Sequence, residues 1–315
     1  MQALAARSLC QHITRGMATS VTRNSPINNI TVIGSGLMGS GIAQVAAQTG
    51  HSVVLVDQTD AILQKAKERI ATSLKRVASK QYPDDAKAMK QFMTETMSKI
   101  SMSEDPTSNI GSCDLIVEAI VENMAIKQKL FKQLDEAAPQ KTIFASNTSS
   151  LSITEIASAT DRLDRFGGLH FFNPVPVMKL VEVIKCNETS QETFDSLFMF
   201  ANNLRKHPIS CKDTPGFVVN RLLVPYLVEG VRMLERGDAS ARDIDKAMKL
   251  GAGYPMGPLE LLDYVGLDTT KFILDGWHEK EPDNPLFNPS ELLNSLVKDG
   301  KLGMKTGEGF YQHKK

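Results

Sequence analysis

The sequence predicts an α/β protein in two parts: a mostly parallel sheet carrying an inserted helical hairpin, then an all-α C-terminal unit. Three observations carry that expectation. The stretch Ile30-Thr-Val-Ile-Gly34-Ser35-Gly36-Leu37-Met38-Gly39 runs four β-prone residues into glycines spaced G-x-G-x-x-G. A smooth helical run, Ile42 to Gln48, follows, and then a second apolar strand, Val53 to Val56, that ends in Asp57. From Phe217 onward, by contrast, the apolar residues recur only at helical spacing.

Strand, glycines, helix, strand and acid in that order form the dinucleotide-binding arrangement of a Rossmann-type domain. Gly34 permits the tight turn, Gly36 lets the backbone approach a pyrophosphate, and Gly39 lets helix and strand pack closely. A diphosphate would rest on the helix N-terminus, held by the free N–H groups of the Ser35–Leu37–Met38 loop and by the helix dipole. Asp57 would accept hydrogen bonds from the adenosine ribose hydroxyls, and its charge would repel a 2′-phosphate. That favours NAD over NADP.

The length of 315 residues suits two domains, and 42% hydrophobic residues suffice for real cores. A formal net charge of zero argues against a general nucleic-acid or membrane-surface binder. Cys10, Cys113, Cys186 and Cys211 show no C-x-x-C spacing, so neither a metal site nor a disulfide frame is expected. No apolar run approaches the length of a bilayer span. The leader is different in character. No Asp or Glu precedes Asp57, and Arg7, Arg15 and Arg23 punctuate a stretch rich in Ser, Thr and Ala. Ala6, Leu9, Ile13 and Met17 share one helical face there. Residues 1–27 therefore read as a mitochondrial transit peptide, which gives the matrix as destination.

Beyond Asp57, a helical stretch from Asp60 to Lys80 is basic along its length, through Lys65, Lys67, Arg69, Lys75, Arg76 and Lys80. Pro83 interrupts it and a second helical run, Asp84 to Ile100, completes a hairpin. The basic face is either simply solvated or a landing surface for an anionic substrate tail. A strand from Cys113 to Ile120 and a helix from Asn123 to Ala137 come next. The strand Thr142 to Ala145 then opens into Ser146-Asn-Thr-Ser149-Ser150. Ligands of such sheets gather at strand carboxyl ends. The hydroxyls there either bind or cap the helix beginning near Ser152. Glu122 and Lys127 also lie just past a strand end, as cofactor contacts or as a surface pair.

The strand Arg165 to Asn173 ends in an Asn-Pro turn, and its partner is Lys179 to Ile184. Alternation places Glu182 on one face between Leu180 and Ile184, so its carboxylate is expected to be buried and to need a partner. His170, on the adjoining strand, is the nearest good candidate. Such a pair fixes the imidazole tautomer, as a general base requires. Lys212-Asp-Thr-Pro215-Gly216 ends the sheet, giving a nucleotide-binding domain over 28–212 and a helical domain over 213–315. Five helices are expected in the latter: Phe217 to Glu235, Ser240 to Leu250, Pro258 to Val265, Asp268 to His278 and Pro289 to Lys298. Asn220 lies where the domains meet, and Lys305 is placed to reach back toward the cleft.

Taken together, several motifs resemble one family. They are Gly34 to Gly39, Asn147-Thr-Ser-Ser150, His170-Phe-Phe-Asn-Pro174, Asp213-Thr-Pro-Gly-Phe217 with Asn220-Arg221, Gly253-Tyr-Pro-Met-Gly-Pro258 and Lys305-Thr-Gly-Glu-Gly-Phe310. From Asn28 to Tyr311 the chain is similar to the 3-hydroxyacyl-CoA dehydrogenases of fatty-acid β-oxidation. The resemblance implies NAD-dependent oxidation of an L-3-hydroxyacyl-CoA to the 3-ketoacyl-CoA, by a homodimer. It implies His170 as base with Glu182 orienting it, and Ser149 and Asn220 on the substrate's C3 oxygen and thioester carbonyl. Ser73 and Lys80 match positions that meet coenzyme A; Glu122, Lys127, Asn173 and Lys305 match cofactor contacts. Two other readings stay open: a dinucleotide-binding protein without catalysis, and a dehydrogenase of a free hydroxy acid.

Overall fold

The computed structural model describes residues 27–108 and 110–313. The leader read as a transit peptide lies outside the described residues, apart from Ile27 at its end. The first half alternates strands and helices: β1 (Asn29–Ile33), α1 (Leu37–Gln48), β2 (Ser52–Val56), α2 (Asp60–Gln81), α3 (Ala86–Ser98), β3 (Ile100–Ser103), β4 (Leu115–Glu118) and α4 (Met124–Ala137). It continues through β5 (Ile143–Ser146), α5 (Ile153–Ala157), β6 (Phe166–Phe171), β7 (Leu180–Lys185), α6 (Gln191–Asn203) and β8 (His207–Lys212). The strands form one sheet in the order β3-β2-β1-β4-β5-β6-β7-β8. The first six run parallel, β7 turns antiparallel against β6, and β8 runs parallel to β7. This is the Rossmann-type sheet, with α2 and α3 as the inserted hairpin.

The structure corrects two boundaries. The helical run expected to reach Ile100 stops at Ser98, and Ile100–Ser103 is a strand paired with β2. Only Lys99 separates the two elements, and a four-residue edge strand reading Ile-Ser-Met-Ser is too short to break a helical pattern. The strand expected over Cys113 to Ile120 is confined to Leu115–Glu118. That shortening places Glu118 at the strand end.

The glycines of the first loop follow from crowding. Gly34 has φ +96°, and a Cβ there would lie 2.5 Å from the Ala119 carbonyl oxygen. A Cβ on Gly39 would lie 1.7 Å from the Gly34 oxygen, whereas one on Gly36 would meet nothing within 4 Å. Gly39→Ala is therefore expected to cost about 3 kcal/mol or more of unfolding free energy, at the upper end of overpacking effects. Gly36→Ala is expected to keep the fold and to weaken NADH. Urea denaturation and NADH fluorescence titration separate the two outcomes.

α4 turns one face inward, with Lys127, Phe131 and Leu134 buried. The Phe131 ring packs against Phe144 of β5 and Phe166 of β6, with centroids 5.6 and 4.7 Å apart. Each fully buried ring of this kind contributes about 1.5–3 kcal/mol. The cluster fixes α4, and with it Lys127, against the strands that carry the site.

The second half is helical: α7 (Val219–Glu235), α8 (Ala241–Gly251), α9 (Pro258–Val265), α10 (Leu267–Lys280) and α11 (Glu291–Lys298). Asp263 of α9, fully buried, fastens the C-terminal segment by accepting from the Phe310 and Tyr311 N–H groups at 2.8 and 3.0 Å and from His313 Nε2 at 2.7 Å. No helix among the described residues is long and apolar enough to cross a membrane.

Candidate active site

The parallel strands point their carboxyl ends to one edge, and the winding reverses between β1 and its neighbours β2 and β4. Ligands of doubly wound sheets bind at that crevice. α1 begins there with no side-chain cap and no acidic residue in its first turn. Its free N–H groups, and the open space beside Gly36, suit a diphosphate. Asp57, expected from the sequence as a ribose contact, is tied to the glycine loop itself. Its Oδ2 accepts from the Ser35 N–H and Oγ at 2.7 and 2.8 Å, so the acid also braces the glycine loop. Behind the loop, Arg69 of α2 donates to the Ser35 carbonyl at 2.9 Å and to Ser40 Oγ at 3.0 Å. A hollow of about 240 Å³ beside Gly34 and Asp57, with Ile120, Ile126 and Leu130 among its lining, offers apolar surface on which an adenine could rest.

At the ends of β4 and β5 lies a polar chain that the sequence only partly disclosed. Lys127 is not one half of a surface pair: it is 1% exposed. Its Nζ lies 2.5 Å from Glu118 Oε1 and 3.5 Å from Glu122 Oε2. Glu118, fully buried, also accepts from Ile120 N–H at 2.7 Å and Ser146 Oγ at 2.6 Å. Glu122 in turn accepts from Thr148 Oγ1 and from the Ser149 N–H, both at 2.8 Å, and from Ser149 Oγ at 3.3 Å. Asn220, in the first turn of α7, closes the chain by donating to the Ser149 carbonyl at 3.3 Å. Ser152 meanwhile caps α5 through the Glu155 N–H. The hydroxyls of this loop are thus divided between capping and the polar chain.

His170 and Glu182 are directly paired residues of β6 and β7. Nδ1 of His170 lies 2.6 Å from Glu182 Oε2; the histidine is 5% exposed and the acid wholly buried. The other oxygen, Oε1, accepts from the Val218 and Val219 N–H groups at 3.1 and 2.9 Å. The acid is thereby an anchor for the start of α7. Phe172 and Phe217 wall the imidazole, with centroids 4.5 and 5.6 Å away. An Nδ1–H donated to a carboxylate leaves the Nε2 lone pair for a substrate proton. The nearby thiols are poor nucleophiles. Burial, reinforced by the Glu182 and Asp213 charges, pushes Cys211 up to about 12, and burial pushes Cys186 up to about 11.

Ser73 and Asn173 line one groove of about 480 Å³, bounded by α1, α2 and the turn after β6, with Lys65, Arg69 and Arg76 on its rim. Lys80 lies near the far end of α2, exposed and outside that groove lining. Lys305 pairs with Asp268 at the start of α10, a contact within the helical half rather than with the sheet edge. Lys206 is a residue the sequence reading missed. Buried at the start of β8, it donates to the Val175 carbonyl and, at 2.7 Å, to that of Met178, stapling the turn beyond Asn173. Desolvation holds its pKa below the ordinary lysine value. A lone lysine beside a strand gives no sequence signal of this.

Two family models match in tandem. The 3-hydroxyacyl-CoA dehydrogenase NAD binding domain covers residues 29–214, and the C-terminal domain of the same family covers 216–313. The chain belongs to the 3-hydroxyacyl-CoA dehydrogenase family. Other 3-hydroxyacyl-CoA dehydrogenases resemble it along most of their length. The mitochondrial hydroxyacyl-coenzyme A dehydrogenase of Rattus norvegicus is 67% identical over 288 residues, covering 91% of this chain and 92% of the relative. The Homo sapiens enzyme of that name is 62% identical over 311 residues, with 96% and 99% covered. Among solved structures, the (S)-3-hydroxybutyryl-CoA dehydrogenase PaaH1 of Ralstonia eutropha superposes with a TM-score of 0.87 at 41% identity, covering 92% of this chain and all of that one.

Proposed function

We propose that the protein oxidises L-3-hydroxyacyl-CoA to 3-ketoacyl-CoA with NAD⁺, in fatty-acid β-oxidation, with His170 as general base. The observation that supports this most is the buried His170–Glu182 pair, 2.6 Å apart, at the sheet edge where the glycine loop also opens. NAD⁺ supplies the hydride acceptor for the C3 hydrogen. His170 Nε2 takes the C3 hydroxyl proton, and the Glu182 carboxylate stabilises the imidazolium that forms. Ser149 and Asn220, joined through the Ser149 carbonyl, hold the C3 oxygen and the thioester carbonyl. Gly34 to Gly39, Asp57, Glu122 and Asn173 surround the cofactor, with Lys127 buried behind Glu122; Lys305 approaches it when the helical domain closes, and Ser73 with Lys80 receives coenzyme A.

The protein is mitochondrial, and the basic, acid-free leader supports the matrix as its compartment. A second copy of the chain is the partner we expect for the helical domain, where Leu222, Tyr264 and Phe272 are 70%, 63% and 57% exposed. The function is tested by following NADH absorbance with acetoacetyl-CoA, acetoacetate and NADPH as alternatives. NADH oxidation is expected with the thioester, at least about tenfold above the free acid and above NADPH. Equal rates with acetoacetate point to a free-acid dehydrogenase, and no oxidation at all to a binding protein.

A further inference from the structure

Glu118 belongs to none of the groups given a role above, yet its carboxylate is wholly buried and accepts three hydrogen bonds at the sheet edge. It joins three segments: the end of β5 through Ser146, the turn after β4 through Ile120, and α4 through Lys127. An ion pair that only braced the fold would need one acid for the Lys127 ammonium. Here a second acid, Glu122, lies 3.5 Å from the same Nζ, and it is one-third exposed where Glu118 is not exposed at all. Both oxygens of Glu122 face the Thr148–Ser149 segment.

Charge balance explains the arrangement. A buried ammonium without a partner is strongly unfavourable, so Lys127 takes whichever carboxylate can reach it. Glu118 is already at 2.5 Å. Were its charge removed, Glu122 would need to advance only roughly 0.7 Å to reach the usual length of a charged hydrogen bond. That advance would draw its oxygens off Thr148 and Ser149 and turn its charge inward, away from the cofactor side.

We propose that Glu118 is a positioning residue: by holding Lys127 it keeps the Glu122 carboxylate on the Ser149 segment and open to the cofactor. The inference rests on Glu122 being a cofactor contact, as in the function proposed above. It also recasts Lys127, whose closest bond is spent on Glu118, as a group that acts on the cofactor through Glu122.

The test is a comparison of NADH dissociation constants by fluorescence, with circular dichroism confirming each fold. Glu122→Gln and Glu118→Gln are each expected to raise the constant about tenfold, as for loss of one charge-assisted hydrogen bond. The variant carrying Glu118→Leu with Lys127→Met has no ammonium left to draw on Glu122, and is expected to bind NADH more tightly than Glu118→Gln. If Glu118 merely braced Ser146 and Ile120 the order would reverse, because leucine accepts no hydrogen bond and glutamine still accepts one. That reversed order, or a parental constant for Glu118→Gln, overturns the proposal. If Glu118→Gln fails to fold, the double variant decides alone. Binding at least about threefold tighter than Glu122→Gln supports the proposal, and equal weakness overturns it. A parental constant for Glu122→Gln itself rejects the cofactor reading of Glu122, and the proposal with it.

Discussion

His170→Gln is expected to lower kcat by about 10²–10⁴-fold, the range contributed by a positioned general base, while NADH affinity stays within about twofold of the parental value. The reasoning is geometric. Nδ1 is committed to Glu182 at 2.6 Å, so Nε2 is the atom free to take a proton, and the ring is held between Phe172 and Phe217. Glutamine can fill much of the space and donate to Glu182, but has no basic atom at the Nε2 position. Burial of Glu182 forbids water from replacing the ring's contact cheaply. Stopped-flow oxidation of NADH with acetoacetyl-CoA measures the chemical step, and fluorescence measures cofactor binding. Turnover near the parental rate would remove His170 from the mechanism.

The second large effect concerns stability rather than chemistry. Lys127→Met leaves the wholly buried Glu118 carboxylate without its cation, and breaking a buried pair in this way costs about 3–5 kcal/mol. Against a total stability of about 5–15 kcal/mol, that is a large share. Ser146 Oγ and the Ile120 N–H still support the acid, which limits the loss without replacing a full charge. The urea midpoint is therefore expected to fall clearly. The double variant with Glu118→Leu, in which nothing charged remains buried at that spot, is expected to regain stability relative to Lys127→Met. A midpoint for Lys127→Met equal to the parental one would show that the pair contributes nothing to folding.

The contrast between these two sites shows what the sequence makes legible. His170 and Glu182 are readable because both stand on strands with clean alternation, joined by a short connection, so that burial and pairing follow from period two. The glycine loop is readable because its spacing is local. Glu118 is not, since its strand reads as running to Ile120, which hides the fact that the acid sits at the end facing the site. Lys127 had a usable signal: Lys127, Phe131 and Leu134 are spaced along one face of α4. A lysine in a first helical turn nonetheless suggests solvent, and only the partner acid on another element reverses that. The brace from Asp57 to Ser35 and the staple from Lys206 to the Asn173 turn escape for the same reason. Each joins a side chain to backbone that is distant in sequence, and no local pattern encodes that.

The two N–H groups that α7 donates to Glu182 bear on how this chain can be dissected. An excised nucleotide-binding half would keep its glycine loop and His170, yet Oε1 of Glu182 would face solvent or reach for a substitute. The seam between the two units passes through the carboxylate that fixes the His170 ring, so under the proposed roles of this pair separating the units would blunt the chemistry before any substrate contact was lost.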